Sequence, residues 1–147
     1  NNPNSMNTND LQLWKINQAI PSLNSEINGK NNPLELGLTD LIDFNKGCYL
    51  GQETISKIKN VSSLKQEIRV WTAKNKDLNL ESVNKILFNN QNKEKSVGYI
   101  TSIYELDSGI IKGLAMIKRK YLDKENPFFS DNFGQISIDK SVGSTFL

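Results

Sequence analysis

Ser96-Val97-Gly98-Tyr99-Ile100-Thr101-Ser102-Ile103-Tyr104-Glu105, then Leu106-Asp107-Ser108-Gly109, then Ile110-Ile111-Lys112-Gly113-Leu114-Ala115-Met116-Ile117-Lys118, decide the fold class. Ile, Val and Tyr suit a pleated, half-buried surface. The four residues between the two runs carry the Asp, Ser and Gly of a hairpin connection. The pattern predicts antiparallel strands over 96–105 and 110–118. Working outward, Gln66 to Ala73 also alternates with a period of two, placing Ile68, Val70 and Thr72 on one face and Arg69 and Trp71 on the other. Lys85 to Phe88 and Gln135 to Asp139 read as further short strands, and Asn89 to Lys95 as a polar turn. Short strands with turns between them predict a small antiparallel barrel over about residues 65 to 140.

Before Ser63 the period is helical. Asn1 to Asp10 is Asn-rich and reads as a linker or frayed end. A helix is expected from Leu11 to Ala19, with either Leu11, Trp14 and Gln18 or Leu13, Ile16 and Ile20 as its apolar stripe, ended by Pro21. Asn28-Gly29-Lys30-Asn31-Asn32-Pro33 is a turn cluster. Leu34 to Phe44 reads as one or two well-buried helical turns, interrupted at Gly37. A second helix is expected from about Gly51 to Asn60, with Glu53 in its first turn and Lys57 and Lys59 in its last. The fold class is therefore α+β: short helices and loops packed beside a small C-terminal antiparallel β-barrel. The division falls at 63/64. Trp14, Trp71, Tyr99 and Tyr104 are expected in core and barrel packing, since no basic stripe accompanies them as in base stacking.

The 147 residues can bury one modest core, or a core with a helical appendage. A net charge of +2, with Lys and Glu mixed, gives no reason to expect direct nucleic-acid binding. No apolar run is long enough to cross a membrane. One cysteine excludes an internal disulfide and is in keeping with a reducing, cytoplasmic setting. The absence of histidine removes the commonest general base and nearly every transition-metal site. One thiol without an imidazole cannot hold zinc or an iron–sulfur cluster within one chain, so no metal site is expected.

That thiol is Cys48, in Lys46-Gly47-Cys48-Tyr49-Leu50-Gly51-Gln52-Glu53. Lys46 and the start of the second helix would both favour thiolate. Beside that reading stands a plainer one, in which Cys48 is a small buried spacer. Gly47 and Gly51 are expected in a turn with positive φ. Gln52 and Glu53 belong to a first helical turn, or bond the Cys48 loop. Lys46 is a solvated side chain or a thiolate partner. Glu35 is a capping carboxylate or a ligand acceptor.

The octapeptide resembles the signature of the YgfZ family, folate-binding relatives of the glycine-cleavage T-protein that serve iron–sulfur protein maturation. Pro33-Leu34-Glu35-Leu36-Gly37-Leu38 resembles the family's Pro-x-Glu-x-Gly-Leu segment. Val97-Gly98-Tyr99-Ile100-Thr101-Ser102 resembles a strand of its C-terminal barrel, and Gly113 to Arg119 the strand paired with it. Trp14 to Pro21 resembles a worn Arg-Ile-Glu-x-Gly-x-Pro, with Lys15, Asn17 and Ala19 in place of Arg, Glu and Gly. The blocks span about residues 11 to 122 in family order, so the chain is expected to be the second half of such a protein.

The resemblance implies tetrahydrofolate as cofactor, requiring the family's N-terminal half. It also implies iron–sulfur assembly proteins or client enzymes as partners, and Cys48 as the working thiol. Lys15 would serve as a weaker clamp than Arg for folate carboxylates, and Glu35 is the other candidate cofactor-binding residue. Such a protein acts by binding and thiol chemistry rather than turnover. The alternatives are a tetrahydrofolate-dependent aminomethyltransferase of the T-protein type and a small-barrel binding module without chemistry. A half protein should also expose apolar surface in the 11–44 region.

Overall fold

The strand Ile110–Lys118 organises the barrel, because it pairs along both of its edges. The computed structural model describes residues 7–45, 47, 51, 53, 64–74, 79–106, 108–122 and 127–139. Among these, seven strands follow in chain order: β1 Gln66–Lys74, β2 Ile86–Phe88, β3 Ser96–Ile100, β4 Tyr104–Glu105, β5 Ile110–Lys118, β6 Phe128–Ser130 and β7 Gly134–Ile138. Hydrogen bonding runs β1-β7-β6-β2-β3-β5 and returns to β1, so six strands close a ring and β4 adds to β5. The pairings are antiparallel. The barrel with short helical segments beside it is the expected α+β class.

The expected strand 96–105 is in fact two pieces on the same edge of β5. Ile100 pairs with Ala115 while Tyr104 pairs with Lys112, a shift of one residue across Thr101–Ile103. One extra residue there forms a β-bulge. Hydroxyls bridge the interrupted ladder. Thr101 N and Oγ1 both donate to Leu114 O, at 2.9 and 3.0 Å, and Leu114 N donates to Ser102 Oγ at 3.0 Å. The hairpin turn is as read, with Leu106 N donating to Ile110 O at 2.8 Å and Gly109 at φ +71°. The strand β6 was not anticipated. Three residues after Pro127 are too few to display a period.

Side chains alternating inward fill the ring. Trp71, Leu87, Val97, Ile111, Ile117 and Ile136 are all buried there, and the Trp71 indole lies 5.2 Å from the Phe133 ring, tilted by 36°. The outer face of β1 and β5 is buried too. Ile68, Val70, Leu114 and Met116 are covered by Ile16, Ala19 and Leu36 of the N-terminal region. Both faces of β1 are therefore dry, which its alternating pattern concealed.

The helix α1 spans Thr8–Asn17 and begins earlier than expected. Asn7 caps it, its side chain accepting from Asp10 N at 2.8 Å, a role that Asn fills well. The stripe Leu13, Ile16 and Ile20 turns inward, with Ile16 buried, while Leu11, Trp14 and Gln18 face out. Trp14 is thus no core residue: it is 47% exposed. Leu41, expected in a buried turn, is 67% exposed, although Leu34 and Leu36 are buried as read. A single 3-10 turn, Thr39–Leu41, follows Gly37. Among the described residues no helix is long and apolar enough to cross a membrane. The second expected helix lies almost wholly outside the described residues.

The helix is stopped by its own C-terminal turn, well before Pro21. Ala19 N donates to Ile16 O and Ile20 N to Lys15 O, both at 2.9 Å, with Ala19 at φ +52°. This is a Schellman motif with Ala where Gly is usual. A left-handed Ala costs roughly 1–2 kcal/mol. Ala19→Gly should relieve that cost while losing a buried methyl, worth roughly 0.8 kcal/mol, and adding unfolded-state freedom. Stability should therefore stay within about 1 kcal/mol of the parent. Ala115→Gly, inside β5 with nothing to relieve, should cost at least about 1 kcal/mol more. Urea unfolding of the two variants checks this; a larger loss at position 19 than at 115 would contradict it.

Candidate functional site

The octapeptide follows directly on a small turn in which Asn45 N donates to Asp43 Oδ1 at 2.9 Å. Lys46, Cys48, Tyr49 and Gln52 lie outside the described residues. Gly47, Gly51 and Glu53 are exposed. Gly51 has φ +90°, the left-handed geometry expected of the turn, whereas Gly47, expected to share it, lies outside the left-handed region and its backbone does not require glycine; a Cβ at either would meet nothing within 4 Å.

Glu35 sits where the N-terminal loop is fastened to the barrel. Its main-chain O accepts from Ile68 N at 2.9 Å, and its Oε2 accepts from Gln66 Nε2 at 3.2 Å and Asn32 N at 3.3 Å. Asn31 extends the fastening: its Oδ1 accepts from Tyr99 OH at 2.9 Å, and its Nδ2 donates to Glu26 O at 3.2 Å. Glu26 is fully buried, with Oε2 accepting from Ser22 N at 2.9 Å and no partner for Oε1 among the described residues. None of this network was readable from composition or period. Asn31, Asn32 and Gln66 look like ordinary turn and strand residues until the loop is placed on the sheet.

Glu35 also lines a cavity of about 850 Å³ with Leu64, Lys65, Gln66, Lys118, Arg119 and Lys120. Behind it, Glu67 lies between two arginines. Arg69 Nη1 pairs with Glu67 Oε1, and Arg119 Nε lies 3.2 Å from Oε2. Burial pushes the Arg69 guanidinium below its ordinary value, opposed by the charge of Glu67.

Lys15 is half-buried in the last turn of α1 and does not line that cavity. Its helix neighbours Gln12 and Ile16 line a second cavity of about 600 Å³, which Ser22, Thr101, Ser102, Tyr104 and Leu114 also reach. The structure thus does not bring the two together: Glu35 lines the first cavity and Lys15 lines neither. Asn17, where the family signature has Glu, accepts from Lys112 Nζ at 3.0 Å. Among the described residues no group of His, Cys, Asp and Glu could hold a metal ion.

No family model matches the chain. Curated relatives do. Over 54 residues it is 41% identical to "Putative transferase At1g60990, chloroplastic" of Arabidopsis thaliana, covering 37% of this chain and 12% of that protein. An uncharacterized protein of Haemophilus influenzae is 26% identical over 125 residues, covering 81% of this chain and 44% of that protein. The chain spans less than half the length of the curated relatives it matches. At 26% identity over 111 residues, 71% of this chain and 34% of the relative, it is similar to the tRNA-modifying protein YgfZ of Vibrio atlanticus.

Proposed function

We propose that the chain is the C-terminal part of a folate-binding accessory protein for the assembly or repair of iron–sulfur proteins, acting through Cys48. The observation that carries the reading is the likeness to a YgfZ protein along 71% of the chain, joined to the Cys-centred octapeptide. The protein works by binding and thiol chemistry. It draws its iron–sulfur partners from the same cytoplasmic compartment.

The second cavity suits one part of tetrahydrofolate. Ile16, Ile20 and Leu114 give it apolar walls, and Ser22, Thr101 and Ser102 supply hydroxyls. That donor set fits a flat bicyclic ring with a polar edge. Lys15, one residue from its lining, would meet a carboxylate as a point charge. Glu35, at the other cavity, fastens the loop that leads into the octapeptide. The rest of the folate pocket would come from chain outside these 147 residues.

Cys48→Ser should fold normally, since a loop thiol contributes little packing. In cells relying on this protein it should reduce the activity of dependent iron–sulfur enzymes to the level seen without the protein. The wild-type thiol should alkylate in the folded state with an apparent pKa below that of a model thiol. Lys46→Ala should raise that pKa at low salt and matter less at high salt. A thiol that alkylates only on unfolding, or a serine variant that fully supports those enzymes, would overturn the role of Cys48.

The likeness to a protein named as a transferase favours a second reading, aminomethyl transfer to tetrahydrofolate. The Cys-centred loop and the Lys15-Ile16-Asn17 departures weigh against it. Folate-dependent release of ammonia from a carrier-bound aminomethyl group, undiminished by Cys48→Ser, would select it.

A further inference from the structure

The first cavity concentrates positive charge that the fold does not require. Gln66 pairs with Lys118 in the β1–β5 ladder. The ladder continues one step, with Arg119 N donating to Lys65 O at 3.0 Å. Lys65 and Arg119 are therefore cross-strand neighbours, flanked by Lys118 and Lys120. Like charges so placed destabilise a sheet. The chain as a whole is close to balanced, with 18 basic and 16 acidic residues, so the cluster does not follow from composition.

Cations outnumber acids in the lining: Glu35, held by neutral donors, keeps its charge but stands against four basic side chains. Glu67 is shared between Arg69 and Arg119, and Glu35 accepts from Gln66 and Asn32. Three of the four cations have a partner that positions them: Lys118 Nζ donates to Ser96 O at 2.7 Å, Arg119 is fixed by Glu67, and Lys120 Nζ lies over the Tyr121 ring, 5.1 Å from its centroid. Lys65 and Lys120 are exposed at the opening. Positioned cations, three exposed lysines among them, and a volume of about 850 Å³ fit a small multiply charged anion.

We propose that this cavity is a binding site for a small polyanion, a molecule carrying two or more phosphate or carboxylate charges. Lys118 and Arg119 orient it, Lys65 and Lys120 add charge to the same lining, and Leu64 forms an apolar wall. The site is independent of Cys48 and of folate, so it stands or falls separately from the function proposed above.

Pyrophosphate and citrate are the two probes, measured by calorimetry on the 147-residue chain. At least one should bind, and the tighter of the two identifies the charge chemistry. Affinity should fall as NaCl rises from about 0.05 M to about 0.5 M. The double variant Lys65→Gln/Lys120→Gln should bind at least about tenfold more weakly, as expected for two lost charge-assisted contacts. The control Lys74→Gln/Lys112→Gln removes the same charge toward the other end of the β1–β5 ladder and should leave affinity within about twofold, since a distant charge outside the cavity is screened. Binding of neither probe, or equal weakening in the two double variants, would overturn the proposal. So would a single-stranded RNA that binds through Lys65 and Lys120 at least about 100-fold more tightly than both probes, since it would mark a polymer track.

Discussion

Gly113→Ala is expected to destabilise the barrel by more than about 3 kcal/mol. Gly113 lies opposite Trp71 in the β1–β5 ladder, and two groups cross above its Cα. The Trp71 indole N–H donates to Ser102 O at 3.3 Å. A Cβ on residue 113 would fall onto that carbonyl oxygen and stand 2.7 Å from Trp71 Nε1. Neither group can yield cheaply. Trp71 is fully buried, and the Ser102 carbonyl belongs to the bulge that re-registers β4. Overpacking a core ordinarily costs about 1–3 kcal/mol. Here the obstacle is backbone, and the indole hydrogen bond, worth about 1 kcal/mol, is lost with it. A loss above about 3 kcal/mol should lower the midpoint of thermal unfolding by at least about 6 °C. Gly29→Ala is the contrast. Its φ of +77° strains an alanine, but its Cβ meets nothing within 4 Å, so only about 1 kcal/mol should be lost. A Gly113→Ala variant that melts like the parent would contradict the packing described for this corner.

Glu67→Ala is expected to cost about 3 kcal/mol, the usual scale for removing one partner of a buried ion pair. The Arg69 side chain is only 9% exposed and its Nε has no partner among the described residues. Without Glu67 its guanidinium, which does not deprotonate in proteins, keeps only an acceptor at Ile68 O, 3.1 Å from Nη1, and the more distant field of Asp139. Arg119 would at the same time repel it. The double variant Glu67→Ala/Arg69→Met should recover most of the loss, because an apolar side chain suits the space that the charge vacates. Urea denaturation of the single and double variants measures the coupling. A single variant within about 1 kcal/mol of the parent would mean that the pair is effectively solvated.

The barrel was legible wherever strands were long enough to show a period. β1 and β5 were read within a residue or so of their observed ends, and the hairpin turn before β5 was read from its composition. The bulge at Thr101–Ile103 was not, because Thr and Ser fit a continuous strand as well as an interrupted one. Only the pairing to β5 reveals the extra residue. The start of α1 was hidden inside an Asn-rich tract, where one Asn acts as a cap. Trp14 was misplaced because two apolar stripes coexist on one short helix, and only the barrel wall decides between them.

For the candidate site the same physics applies. Cys48 announces itself by residue type and by its flanking glycines, without any contact being known. Lys65 and the run Lys118-Arg119-Lys120 look like scattered surface charge along the chain. They become one feature only through the register of β1 on β5, which no local pattern encodes.

Ring closure also governs how copies of this molecule would meet. Six of the seven described strands spend both edges on each other, and β4 is only two residues long. Little open ladder remains to template a foreign strand. Among the described residues most of the large apolar groups left outside, Leu11, Trp14, Leu23, Ile27 and Leu41, belong to the segment that precedes the barrel, while Ile86 and Ile110 stand singly at the starts of β2 and β5. Association of this chain would therefore proceed through side-chain contact on that segment. It should be concentration-dependent and reversible by mild detergent, and it should give small oligomers with an unchanged sheet signal in place of cross-β fibres.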